Sequence, residues 1–221
     1  MESPEVRVVF LRHGQTAWNA ERRILGRTDV PLDDVGLAQA TLVGAALPAA
    51  GFRFDAVWSS PLTRARQTAE RAGGVAVNGA PMLRVDPDLV EMDQGALEGL
   101  PASDLLRDHA ELLARWRADP ASLVLPGGER MQDVQARGLA ALERIVTATR
   151  VECIDLPAVT VLVVSHQLVI SAVLCALAEV PLARWHTFTH RNTAWSEIRW
   201  RPGPGLVAWD VAPHLPAGPR A

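Results

Sequence analysis

The run Val159-Thr160-Val161-Leu162-Val163-Val164 is strongly apolar and does not alternate. A strand of that composition has to be covered on both faces, as in parallel sheets flanked by helices. Residues 6–11 read as a second buried strand, and residues 56–59 as a short third one. Helical patterns separate them. Asp33 suits the N-cap of a helix over 33–50, in which Leu37, Ala40, Thr41, Gly44 and Leu47 recur near the helical period. Ser60 and Pro61 suit the cap and first position of a helix that reaches about Ala72. Residues 100–117, 130–150 and 168–178 complete the helical set. Strands alternating with helices predict an α/β fold of three layers, α/β/α, around a mostly parallel central sheet. Residues 194–200 and 206–211 alternate around Pro202-Gly203-Pro204-Gly205, which predicts a hairpin at a sheet edge that could support a homodimer. The 221 residues fit a single domain over 1–212, with a small lid at about 100–126 and a flexible tail over 213–221.

The alphabet excludes several chemistries. All 22 basic residues are Arg, and Tyr is absent. Without Lys there is no Walker A motif and no Schiff base for pyridoxal phosphate. Any anion site must be built from Arg, His, backbone N–H groups and neutral donors. A net charge of −3 disfavours a nucleic-acid partner. Residues 157–181 are apolar, but Ser165-His166-Gln167 falls in their middle, where a bilayer penalises polar groups, so no membrane span is expected. Cys153 and Cys175 form no CxxC cluster, and the first residues carry no secretory pattern. A cytoplasmic protein is the expectation.

In open α/β sheets, ligands bind beyond the carboxyl ends of the strands. Arg12-His13-Gly14-Gln15-Thr16 follows the first strand, with Asn19 close behind. Ser60-Pro61-Leu62-Thr63-Arg64 follows the short strand, and Ser165-His166-Gln167 follows the apolar one. A lone His or Arg in such a place is ordinarily a satisfied or solvated residue. Two of each at three strand ends point to an anion site. Arg64 in the first turn of a helix would oppose the helix dipole unless an anion sat there too. The chemistry these groups suit is phosphoryl transfer. Arg forks neutralise the nonbridging oxygens. A neutral His can attack phosphorus and carry it covalently. A carboxyl group with a raised pKa can protonate the departing alkoxide.

These residues belong to longer blocks. Leu11-Arg12-His13-Gly14-Gln15-Thr16-Ala17-Trp18-Asn19 resembles the signature of the histidine phosphatase superfamily, branch 1, the phosphoglycerate mutase-like family. The similarity continues through Gly26-Arg27-Thr28-Asp29-Val30-Pro31-Leu32, Gly36 and Gln39-Ala40, and through residues 59–70. It extends to residues 89–99, Pro126-Gly127-Gly128-Glu129 and Val163-Val164-Ser165-His166. The resemblance implies a phosphoglycerate mutase-like fold and a phosphohistidine on His13. It implies that Arg12, Arg64 and His166 hold the phosphoryl oxygens and that Glu91 is the proton donor. It makes Thr16, Asn19 and the backbone N–H of Gln167 auxiliary phosphate donors, and gives Gly26 a close backbone approach. Asp93 is a rival for the acid role, because on a strand it would share a face with Glu91. The family pattern favours Glu91.

The chain departs from that pattern at three places. Gln167 stands where a Gly usually follows the second His. Arg130 replaces a Ser that could cap the next helix. Met92-Asp93-Gln94 lacks an aromatic often found there. Mutases of this type carry a longer lid insertion with paired Arg and a Tyr. Here the lid is short, Tyr is missing, and its Arg107, Arg115 and Arg117 read as a solvated helix face. The expected activity is therefore a metal-independent phosphomonoesterase acting on a small phosphorylated metabolite, with no cofactor. Mutase-type transfer and a phosphate-sensing, non-catalytic role are the alternatives. His186 and His190 have the i, i+4 spacing of a zinc pair but lack the internal Glu, so no metal site is expected.

Overall fold

The computed structural model describes residues 4–73, 82–200 and 203–216. The sheet has six strands in the order β3-β2-β4-β1-β5-β6. β1 (Glu5–Arg12), β2 (Ala56–Ser59), β3 (Leu83–Val85) and β4 (Ala158–Ser165) are parallel. β5 (Trp195–Trp200) and β6 (Pro204–Val211) form the expected antiparallel hairpin, with β6 at the edge. The central strands are covered on both sides. Val159, Val161 and Val163 of β4 join one core cluster with Val6, Val8 and Phe10 of β1, while Leu162 and Val164 join a second with Val9 and Leu11. This is the physical reason for the unbroken apolar run.

On one face lie α6 (Met131–Glu152) and α7 (Gln167–Leu177), and on the other α2 (Asp34–Ala49) and α3 (Thr63–Ala72). Asp33 caps α2 as expected, accepting from the Gly36 N–H at 2.7 Å. Between β1 and α2 sits the single turn α1 (Ala17–Ala20). The lid segment is not one helix over 100–117. It divides at His109 into α4 (Ala102–Asp108) and α5 (Ala110–Ala118). Ser60 does not cap α3. That helix starts two residues after Pro61, with Leu62 as its uncapped N-cap, because the Ser60 hydroxyl is used elsewhere. β3 escaped the sequence reading, being a three-residue strand that pairs only with β2. Of the expected tail, His214 stacks on Trp195 with ring centroids 5.8 Å apart. Residues 217–221 lie outside the described residues. Among the described residues, no single helix is long and apolar enough to cross a membrane.

The parallel registers position the site. Arg12 pairs with Ser165, and Ser59 with Val164. The next residue along each strand therefore emerges at one place: His13 from β1, Ser60 from β2 and His166 from β4. The His13 N–H still reaches the Ser165 carbonyl at 3.0 Å, and the Ser60 N–H reaches that of Val164 at 3.0 Å.

Candidate active site

His13 is buried, with Nδ1 2.7 Å from the Gly14 carbonyl. A carbonyl can only accept, so the proton lies on Nδ1 and the lone pair on Nε2. Burial, and then the charges of Arg64 and Arg12, hold the His13 pKa well below the usual range. The ring is thus neutral and nucleophilic near neutral pH. Its backbone is fixed as well. Asn192 Nδ2 donates to the His13 carbonyl at 3.0 Å, and the Gly14 N–H donates to Thr68 Oγ1 at 3.1 Å. The start of α2 presses directly on this turn. A Cβ on Gly36 would lie 2.0 Å from the Gln15 carbonyl oxygen, and one on Gly14 would lie 2.7 Å from that of Gly36.

Arg64 is a fully buried guanidinium in the first turn of α3. It donates from one terminal nitrogen to the Gly26 carbonyl at 2.6 Å and from the other to that of Thr28 at 2.9 Å. Gly26 earns its place through close approach, since a Cβ there would meet Glu98 Oε1 at 2.0 Å. The Glu98 carboxylate accepts the N–H groups of Arg27 at 2.7 Å and Thr28 at 2.8 Å, and so shapes the loop that holds Arg64. Arg12 donates to the His190 carbonyl and, at 3.3 Å, to Gln167 Oε1. Burial brings its pKa down to about 10, so it stays cationic.

His166 N-caps α7, and its ring centroid is 5.0 Å from that of His13. Its Nε2 lies 2.7 Å from Ser60 Oγ, which also accepts from the Leu62 N–H at 3.3 Å. The Ser60 hydroxyl keeps both a proton and a lone pair, so either His166 tautomer makes this contact; the Nδ1–H tautomer is the one that offers a donor to an anion. Burial first, then the charge of Arg64, depress its pKa well below the ordinary value. Arg12 Nε, Arg64 Nε and His166 Nδ1 are all buried without a protein partner. An unpaired buried donor costs roughly 1–3 kcal/mol. Three of them from three strand ends are the complement of an oxyanion.

Glu91 lines the same cavity and is buried. It does not lie on a strand but in the loop after the short turn Pro87–Leu89. Burial raises its pKa, against opposing hydrogen bonds from Met92 N at 2.8 Å and Leu168 N at 3.3 Å. Asp93 is placed differently. Its Oδ1 accepts from the Gly95 N–H at 2.9 Å and its other oxygen is 3.8 Å from Arg27. Arg137, which sequence reasoning passed over, braces the acid loop by donating to the carbonyls of Asp88, Val90 and Glu91. A long polar side chain in the middle of an amphipathic helix carries no visible sign of that task.

The auxiliary donors divide. Asn19 and Gln167 line the cavity. Thr16 is fully buried and committed to a capping box: its hydroxyl accepts the Asn19 N–H at 3.2 Å, while Asn19 Oδ1 accepts the Thr16 N–H at 3.1 Å. The Gln167 side chain accepts from Arg12 and from the His190 N–H and donates to Ser171 Oγ, so it fixes Arg12. His190 uses both ring nitrogens inside the protein, on the Phe188 carbonyl at 2.8 Å and Ser196 Oγ at 2.6 Å. Among the described residues, no group of three or more His, Cys, Asp or Glu is arranged to hold a metal ion.

A family model described as the histidine phosphatase superfamily (branch 1) matches residues 8–210. The chain belongs to that superfamily. A curated relative named "Probable phosphoglycerate mutase GpmB", from Yersinia pestis (strain Pestoides F), is 31% identical over 204 residues, covering 92% of this chain and 89% of its own. The solved structure titled "Mycobacterial hydrolase 1" superposes with a TM-score of 0.82 at 29% identity, covering 93% of this chain and 98% of that one. The native structure of mycobacterial glucosyl-3-phosphoglycerate phosphatase superposes with a TM-score of 0.79 at 29% identity, covering 93% and 99%. This member of the superfamily thus has both a phosphatase and a mutase-named protein among its relatives, and phosphoryl transfer is the chemistry they share.

Proposed function

We propose that the chain is a phosphomonoesterase that releases inorganic phosphate from a small phosphoester through a phosphohistidine on His13. The observation that carries this reading is the set of three unpartnered buried nitrogens, on Arg12, Arg64 and His166, around a neutral His13. His13 Nε2 attacks phosphorus in line with the ester oxygen, forming the N–P bond as the P–O bond breaks. The neutral Glu91 carboxyl gives its proton to the departing alkoxide. Glu91, now a carboxylate, takes a proton from water as the water oxygen attacks phosphorus, and His13 and phosphate are released. The developing charge on the phosphoryl oxygens is met by preorganised donors that need no reorientation. No step requires a metal, because two guanidinium groups and His166 supply the charge and hydrogen bonds.

Water rather than a second substrate is proposed as acceptor because the lid offers little to hold another anion. Arg107 is paired with Asp104 and Asp108, Arg115 does not line the cavity, and Arg117, the lid Arg that lines it, is exposed on the last turn of α5, where solvent screens its charge. The solved relative named as a phosphatase supports the same choice. The test is phosphate release from a panel of phosphoesters at pH 5 to 8, with and without EDTA. Release unaffected by EDTA is expected. Rapid interconversion of 2- and 3-phosphoglycerate that depends on a bisphosphate primer would overturn the proposal.

A further inference from the structure

The cavity that opens from His13 and Glu91 has a volume of about 320 Å³. That is near the lower limit of ligand pockets, roughly 300–1,000 Å³. Roughly 150 Å³ of apolar space is enough for a benzene ring. The cavity therefore has room for a phosphoryl group and one ring-sized substituent. Its wall beyond the phosphate end is made by Leu97, Leu105, Leu113, Trp116, Leu125 and Trp185. The two indoles face each other at 5.7 Å with their planes tilted by 59°, and close one corner of it. These side chains come from the 3₁₀ turn Gly95–Leu97, α4, α5, the segment before α6 and the 3₁₀ turn Leu182–Phe188.

The polar groups such a wall offers a carboxylate or a polyol are few: Trp116 Nε1, which is buried without a hydrogen-bond partner, and the Gln94 side chain. Beyond the phosphate end, the cations that line the cavity are Arg23 and Arg117. Arg23 is engaged by Glu21 at 2.5 Å and by the Gly99 carbonyl at 3.0 Å, and Arg117 is exposed. Most sugar hydroxyls would lose water against Leu and Trp side chains without replacement partners. An apolar group gains from the same transfer, and an aromatic ring also gains from the indole faces.

We propose that the alcohol half of the substrate is a single apolar, ring-sized group: the enzyme takes phosphomonoesters of aryl-methyl or cycloalkyl alcohols in preference to sugar phosphates or phosphoglycerates. This rests on the phosphomonoesterase reading for its chemistry, but its recognition step can be measured without turnover. The first arm compares kcat/KM for benzyl phosphate, cyclohexylmethyl phosphate, glycerol 3-phosphate and 3-phosphoglycerate. All four have alkoxide leaving groups, so assistance from Glu91 is needed by each. The apolar esters are expected to exceed the polar ones about 100-fold, given that a single methylene in an apolar pocket is worth about 10-fold or more. Trp116→Ala is expected to lower the benzyl-to-glycerol ratio at least tenfold. Leu113→Asn, which keeps the bulk and changes only polarity, should lower it too. Because both esters are assayed on one sample, the ratio is insensitive to a partly unfolded preparation.

The second arm measures binding of benzyl phosphate and glycerol 3-phosphate to His13→Ala by calorimetry. Benzyl phosphate is expected to bind at least tenfold more tightly. No phosphate release from any ester, together with that binding preference, would sink the phosphatase reading and leave this inference standing. Equal or weaker binding of benzyl phosphate, or a benzyl-to-glycerol ratio unmoved in both wall variants, would overturn this inference whatever the enzyme hydrolyses.

Discussion

The two ends of the cavity are built on opposite plans. At the phosphate end, every reacting group is fixed from behind. His13 is tied to Gly14 and Asn192, Arg64 to Gly26 and Thr28, Arg12 to Gln167 and His190, and His166 to Ser60. His13, Ser60 and His166 follow the ends of parallel strands, whose register sets their separation, while Gly26, Thr28, His190 and Asn192 anchor from the flanking loops. At the other end, half of the wall is carried by two short helices, through Leu105, Leu113 and Trp116, and α5 has no buried residue along its length. Charge chemistry needs groups held within a fraction of an ångström, and a rigid sheet supplies that. Apolar recognition tolerates looser geometry, because burial is non-directional. Reaction type is thus assigned to the sheet and substrate choice to the lid.

That contrast makes graded predictions. His13→Ala should lower kcat/KM about 10⁴-fold or more for every ester, as nucleophile removal does in covalent catalysis. A loss confined to some esters would place the nucleophile elsewhere. Glu91→Gln should cost about 10²- to 10⁴-fold on alkyl esters and little on p-nitrophenyl phosphate, whose leaving group needs no proton.

In the proposed mechanism, the pH profile follows from the same groups. The acid form of Glu91 is the active one, and burial raises its pKa, so activity on alkyl esters falls as pH rises through that raised value. The neutral form of His13 is the active one, and its pKa is depressed, so the acid-side loss begins well below the pH at which an ordinary His protonates. A pH–rate series on wild type and Glu91→Gln checks this, with the alkaline limb missing in the variant.

Gly36→Ala lies outside the cavity but should still cost about 100-fold in kcat. Its Cβ would lie 2.0 Å from the Gln15 carbonyl oxygen and so displace the turn after His13. An unchanged rate would show that the turn tolerates movement, and would weaken the case for a rigid phosphate end. The smallest effect is expected at α6, whose N-cap Arg130 makes no side-chain cap. Arg130→Ser should raise stability by up to about 1 kcal/mol in denaturant unfolding and leave kcat/KM unchanged for all esters.

The same division governs what the sequence alone reveals. The apolar runs and the polar residues that end them gave the layers, the parallel core and the placement of His13, Arg64 and His166. Those features are local in the chain and are repeated by the sheet register. Ser before Pro suits a helix cap, and only the β2–β4 pairing brings Ser60 against His166 instead. The resemblance makes Thr16 a phosphate donor, and only the structure shows that its hydroxyl also caps its own turn. Glu91 could not be separated from Asp93 by spacing, since the distinction depends on a loop rather than a strand face. Arg137, Glu98 and the paired Trp116 and Trp185 act across long sequence separations, and no periodicity marks such contacts. The lid broke at His109, without a Gly or Pro to announce it.

Alkali-quenched trapping reads the proposed intermediate directly. The enzyme is mixed with a ³²P-labelled alkyl phosphoester, quenched within its first turnover, and mapped by peptide mass spectrometry. The mechanism predicts acid-labile, alkali-stable label on His13 that appears faster than phosphate is released in the steady state, and its loss in His13→Ala. Steady phosphate release with no protein-bound label, or label on any residue other than His13, would contradict it.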